Sequence, residues 1–145
     1  MSFYVDPIAI AQSEGISVIP NTYMDVNGSI KKDLETGKVI IEYDASMHPN
    51  RQRFTIAHEL GHYFAGHLSN GKTLFRDPAK NFTVDNYDPY EAEANKIAAD
   101  ILMPEDKISF LIQELKYNTI DDLANALKVS PAAMTYRLKN LGYIS

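Results

Sequence analysis

The chain contains no cysteine, which excludes a disulfide framework and any thiolate metal site. A metal ion bound here must take histidine and carboxylate ligands, and the histidines are His48, His58, His62 and His67. No apolar run approaches the ~20 residues of a membrane span. The first residues, Met-Ser-Phe-Tyr-Val-Asp-Pro, lack the basic and apolar regions of a secretory signal, so a cytoplasmic location is expected by default. Positive charge is also scarce. Residues 1–106 carry 9 Lys/Arg against 16 Asp/Glu, or −7, whereas residues 107–145 carry 5 against 3, or +2. An acidic body argues against general nucleic-acid binding. The mildly basic C-terminal piece permits such binding and does no more. There is no internal repeat and no low-complexity tract.

What is present is enough for a real core: 145 residues, 45% apolar and 23% charged, ordinary for a globular domain. Asp6-Pro7 reads as a helix start and Gly15 as its stop. Ile16–Pro20 alternates like a half-buried strand, Asn27-Gly28 and Glu35-Thr36-Gly37 read as turns, and Lys38–Tyr43 is rich in β-formers. A small antiparallel sheet over residues 16–43 is therefore expected. Pro49-Asn50 can start a helix in which Phe54, Ala57, Gly61 and Phe64 form an apolar stripe fixing it against the sheet. Residues 68–89 are punctuated like a loop by Ser69-Asn-Gly71, Asp77-Pro78 and Asp88-Pro89. A second helix follows from near Tyr90 to Leu102, with Ala94, Ile97, Ala98, Ile101 and Leu102 as its buried stripe. Three shorter helices complete the chain. The last two, Ile120–Leu127 and one beginning at Ser130-Pro131, have the outline of a helix-turn-helix. The expected class is α+β: a core over residues 1–104 with a C-terminal helical subdomain over 105–145 packed on it.

The chemistry is concentrated in His58-Glu59-Leu60-Gly61-His62, a match to H-E-x-x-H. Each helical residue turns about 100°, so positions i and i+4 lie only about 40° apart and their imidazoles can share one metal ion. Glu59, offset by roughly another 60°, can lean over that ion as a general base without ligating it. The bland alternative is an i,i+4 histidine pair on an ordinary surface helix. Against it, Glu59 occupies the one position the chemistry requires.

A catalytic zinc takes three protein ligands and keeps one position open. His67 lies about 140° around the helix from His62, so it cannot complete the site if that helix continues. The His-rich extension of the motif needs Gly at 65 and His at 68, where this chain has Ala65 and Leu68. The better third ligand is Glu91 on the second helix. Glu93 is about 200° away from it, so at most one of the two can face the metal. Asn95, one turn after Glu91, could accept a hydrogen bond from a ligand histidine. The bland reading of Glu91 and Glu93 is charge complementing a helix N-terminus.

Arg53-Phe-Thr-Ile-Ala-His-Glu-Leu-Gly-His-Tyr-Phe64 followed by Glu91-Ala-Glu-Ala-Asn-Lys-Ile-Ala-Ala-Asp-Ile-Leu-Met-Pro104 resembles the ImmA/IrrE family of bacterial and phage metallopeptidases. The resemblance covers nearly the whole chain, and the C-terminal Leu123–Gly142 resembles the helix-turn-helix-like tail of some members. It implies a minimal gluzincin-like core, with His58, His62 and Glu91 as ligands of one Zn2+ ion and Glu59 as catalytic base. Asn95 stands where more distant zincins have Asp. The resemblance also implies proteolysis of a DNA-binding, helix-turn-helix repressor that controls a mobile element or a stress response.

The expected function is zinc-dependent peptide hydrolysis, although the ligand set also admits Mn2+ or Fe2+. His67, Tyr87 and Tyr90 are candidates for stabilising the oxyanion, with His67 alternatively a helix-end histidine supporting a ligand. Arg51 and Arg53 read as structural or surface charges. The competing expectation is a non-catalytic metal-binding module that binds a repressor, or binds DNA through Tyr136, Arg137, Lys139 and Asn140. No membrane association is expected.

Overall fold

Helix α1 (Pro7–Ser13) begins where Asp6 accepts the amide hydrogens of Ile8 and Ala9, satisfying donors that a helix start leaves orphaned. The structure is a computed structural model and describes residues 2–22, 25–69, 74–77 and 88–145. Four strands come next: β1 (Ser17–Asn21), β2 (Gly28–Lys32), β3 (Val39–Asp44) and β4 (Leu74–Asp77). They form one sheet in the order β1-β3-β2-β4. The α+β class is as expected.

The sheet is mixed rather than antiparallel throughout. β2 pairs antiparallel with both β3 and β4, but β1 and β3 run parallel. The cause is topological. The short return after β1 makes β2 run opposite to it, and the β2–β3 hairpin reverses the chain again. β3 then inserts between the two and must run with β1. Two local readings also change. Gly28 is the first residue of β2 instead of a turn residue, and β4 lies inside the stretch read as a loop.

The principal helix, α2 (Pro49–Phe64), starts on His48, whose Nδ1 accepts the Asn50 amide. It is shared by two apolar cores. Ile56 and Leu60 join Ile30, Ile41 and Phe75 on the sheet side. Ala57 faces the other way, joining Ala98 and Leu102 of α3 (Pro89–Leu102) and the C-terminal helices. The expected stripe thus does not hold α2 to the sheet: Ala57 and Gly61 face the helical side and Phe64 is exposed. After α2 the chain makes a single 3-10 turn at His67–Ser69.

The remaining helices are α4 (Glu105–Gln113), α5 (Ile120–Leu127) and α6 (Pro131–Leu141). Thr119 and Ser130 cap the last two through their hydroxyls. Ile108, Leu111, Leu127, Met134 and Leu138 close over α2 and α3. Arg137 is buried, donates from Nε to the Met103 carbonyl (3.0 Å) and pairs with Asp100 (2.9 Å). Arg53 donates to the carbonyls of Val5 (2.5 Å) and Lys128 (3.2 Å), tying α2 to the start of the chain and to the α5–α6 turn. Both guanidinium groups serve the packing. Among the described residues no helix is long and apolar enough to cross a membrane.

Candidate metal centre

The site is built where α2 crosses α3, and a missing side chain sets the crossing distance. A Cβ on Gly61 would sit 2.5 Å from the carbonyl oxygen and 2.8 Å from the Cα of Ala94. Only glycine against a small residue lets the backbones come this close. Ala94 lies between Glu91 and Asn95, so the contact delivers both to the histidine face of α2. Asp88 caps α3 through the amides of Tyr90 and Glu91, fixing the turn that carries Glu91.

Four side chains converge. The Nε2 atoms of His58 and His62 lie 2.9 and 3.1 Å from Glu91 Oε2, and 3.5 and 3.4 Å from Asp77 Oδ2. A tetrahedral zinc with bonds of ~2.0–2.1 Å spaces its ligands about 3.3–3.4 Å apart, within the span of these separations. His58, Glu59, His62 and Asp77 are fully buried and Glu91 nearly so. Two imidazoles and two carboxylates in a dry pocket fit a divalent first-row ion.

Each imidazole is oriented from behind. His58 Nδ1–H donates to Asn95 Oδ1 (2.7 Å), leaving Nε2 to face the centre. His62 is held by a longer chain: its Nδ1 lies 2.8 Å from His67 Nδ1, and His67 Nε2 lies 2.6 Å from Glu93 Oε1. A carboxylate only accepts, so His67 Nε2 carries the hydrogen, His67 Nδ1 accepts, and His62 Nδ1 donates. Nε2 of each ligand ring then points at the carboxylates, donating to Glu91 in the absence of a metal and available to coordinate one when its hydrogen is displaced. Phe75 stacks on the His62 ring at 4.0 Å, and Tyr90 meets His67 edge-on at 4.7 Å.

The convergence moves proton equilibria. Burial disfavours the cation at His58, but hydrogen bonds to Asp77 and Glu91 outweigh it and raise its pKa to about 9. His62 is raised for the same reasons. Burial likewise opposes ionisation of Asp77, yet its hydrogen bonds to the two histidines hold it well below the usual carboxylate range. Glu59 is pushed well above that range, chiefly by burial and then by the Asp77 charge. Glu59 lies against the Asp77 carboxylate, and the side-chain hydrogen bond between the two requires Glu59 to be protonated while Asp77 is ionised.

The sequence-predicted residues therefore divide clearly. His58, Glu59, His62 and Glu91 are brought together, with Asn95 behind His58. His67 escapes the angular argument because α2 ends at Phe64. It contacts His62 from the side away from the four-donor cluster, and Glu93 meets His67 rather than that cluster. Tyr90 packs on His67, and Tyr87 lies outside the described residues. Asp77 was missed. Its signal was faint: in Leu74-Phe75-Arg76-Asp77, a period of two puts Phe75 and Asp77 on one face.

Comparison with known proteins bears on the whole chain. The Peptidase_M78 profile, IrrE N-terminal-like domain, matches residues 11–139. The chain is 30% identical over 139 residues to "Uncharacterized immunity region protein 2" of Bacillus phage phi105, covering 94% of this chain and 80% of that protein. It is 24% identical over 136 residues to "Metallopeptidase ImmA" of Bacillus subtilis (strain 168), covering 94% and 76%. Among solved structures it is similar to a "Mycobacterium tuberculosis transcriptional regulator", with a TM-score of 0.61 and 18% identity. That likeness covers 92% of this chain but only 39% of the regulator, and it concerns the fold alone.

Proposed function

The chain belongs to the IrrE N-terminal-like (Peptidase_M78) family of metallopeptidases, and from that membership we propose that it is a zinc-dependent endopeptidase. One observation carries the reading: the Nε2 atoms of His58 and His62 both lie within 3.1 Å of Glu91 Oε2, beside the fully buried carboxyl of Glu59. His58, His62 and Glu91 would hold the ion, and a zinc ion bound there would supply Lewis acidity, polarising a scissile carbonyl and lowering the pKa of water. Glu59 is placed to take a proton from the attacking water and to return it to the leaving amine. Burial favours the protonated form of Glu59, which suits the half of the task in which it returns the proton to the leaving amine. Asn95 and His67 keep the ligand rings turned so that Nε2 remains the coordinating atom.

The substrate we assign is a DNA-binding repressor governing a mobile element or a stress regulon. The family resemblance supports it, as do the names of the phage immunity-region protein and of ImmA. The competing reading, DNA contact through α6, is weakened because Arg137 is committed to Met103 and Asp100. Incubation with the repressor encoded beside this gene, with and without a chelator, followed by mass spectrometry, tests the proposal. The expected result is a discrete pair of fragments only without chelator. Fragments that persist with chelator, or intact repressor in both arms, overturn it.

A further inference from the structure

β4 stands in the path a substrate needs. The first residue of β2 lies against the catalytic carboxyl: a Cβ on Gly28 would be 3.0 Å from Glu59 Oε2 and would clash with the Thr55 methyl. The free edge of β2 would thus be the natural backbone rail alongside the site. β4 pairs with that edge, antiparallel, with Gly28 opposite Asp77, Ser29 opposite Arg76 and Ile30 opposite Phe75. The alternation of the strand then turns Phe75 and Asp77 inward. Phe75 covers the His62 ring, and the Asp77 carboxylate reaches both ligand Nε2 atoms.

A hydrolytic zinc site keeps one position for water and substrate, whereas four protein ligands are the mark of a structural site. Here a fourth donor is supplied by the strand that also fills the rail, and His58, Glu59 and His62 have no exposed surface. The strand is four residues long and lies at the sheet edge; Phe75 and Asp77 are buried, whereas Leu74 is exposed and Arg76 pairs with the exposed Asp25. Such an edge strand is the kind of element another extended segment can replace, because strand addition reproduces the same backbone hydrogen bonds.

We propose that β4 is a built-in stand-in for the substrate: Asp77 holds the metal's fourth position, and an extended segment of the target protein takes over the edge of β2 when β4 leaves it. The inference rests on the metallopeptidase reading and adds to it the form of substrate, an unfolded stretch that pairs as a strand, and a resting state that is closed. A folded repressor helix cannot enter; a hinge or linker can. Activation is then whatever favours β4 leaving, including the target segment itself.

The test uses the cobalt-loaded full chain and acetohydroxamate, a small chelating probe whose binding to cobalt is read in the visible spectrum. Asp77→Ala should bind the probe at least tenfold more tightly than wild type while still holding one cobalt. Asp77→Asn, which keeps the shape, should move in the same direction. Phe75→Ala retains all four donors while removing the strand's buried anchor and its cover over the His62 ring, so a rise there of a few-fold with cobalt content unchanged reports strand release instead of a lost ligand. Equal probe affinity in wild type and all three variants overturns the inference, and so does loss of cobalt from both Asp77 variants, which makes Asp77 a permanent ligand. If wild type itself takes up no cobalt or zinc, the metallopeptidase reading fails with it. Cobalt bound without any effect at Asp77 or Phe75 sinks this inference alone.

Discussion

The two flanks of α2 are built to different standards. On the α3 side, Gly61 meets Ala94 backbone to backbone, and an apolar core running through Leu102, Ile108, Leu111, Leu127 and Met134 stands behind the contact. On the sheet side, the last element to reach the site is a four-residue edge strand with one buried aromatic, Phe75. Both flanks supply a carboxylate to the same pair of histidines. The difference lies in the support behind each carboxylate: Glu91 comes from a helix packed into the large helical core, and Asp77 from a four-residue edge strand, which on our proposal is the element that moves.

The contrast can be broken most severely at Gly61. Gly61→Val should separate α2 from α3, costing several kcal/mol, since overpacking a tight contact costs about 1–3 kcal/mol and backbone shifts add to it. A thermal melt should show a large fall in Tm, and metal analysis should find zinc lost. Glu59→Gln is next, and acts on chemistry alone. Cleavage should fall by roughly 10²–10⁴-fold, the usual contribution of a general acid–base group. Zinc content and Tm should stay at wild-type levels or improve, because a neutral amide replaces a buried carboxyl. Cleavage at the wild-type rate would remove Glu59 from the mechanism.

Asn95→Ala should weaken zinc binding by about 10–100-fold, as the loss of a group orienting a ligand ring does, with Glu91 still in position. A chelator competition titration reads this directly. The same titration repeated across pH sharpens the picture. His58 in the metal-free fold has its pKa raised to about 9, so zinc must displace its proton. Affinity should therefore climb with pH, by up to about tenfold per unit for each proton released, and level off above about 9. Stability of the metal-free protein should run the opposite way. A raised folded-state pKa contributes stability that is complete below the unfolded value near 6.5 and lost as pH rises through about 9. Smallest of all is Arg76→Ala. The pair with Asp25 is exposed, and such pairs contribute about 0.2–1 kcal/mol. Chemical denaturation should barely register it.

The helical half of the site was legible in the sequence because helices write their geometry locally. His58, Glu59 and His62 share a face by spacing alone, and Glu91 and Asn95 repeat the argument one helix later. Which two helices meet was not readable from Gly61, which was assigned to a stripe facing the sheet and instead packs on Ala94 of α3. Asp77 was not legible. A four-residue strand has too few positions for its period to stand out, and its partner β2 lies more than forty residues earlier. The parallel pairing of β1 with β3 failed for a similar reason. Strand direction depends on which neighbour inserts between two others, and no local pattern encodes that. His67 was excluded as a ligand only on the condition that the helix continued; α2 ends at Phe64, and His67 sits where the alternative reading put it, at the helix end supporting a ligand histidine.

A last consequence concerns the two letters of H-E-x-x-H that chemistry leaves blank. In this molecule Leu60 is fully buried in the sheet-side core and Gly61 is pressed against Ala94. Neither blank is free. Packing spells the second and third inner letters as strictly as coordination spells the outer ones, so the pentapeptide carries five characters of information here, not three. A search that scores Leu60-Gly61 together with the distant Ala94 asks for a helix crossing as well as a metal, and so discards the chance matches that a three-letter pattern admits.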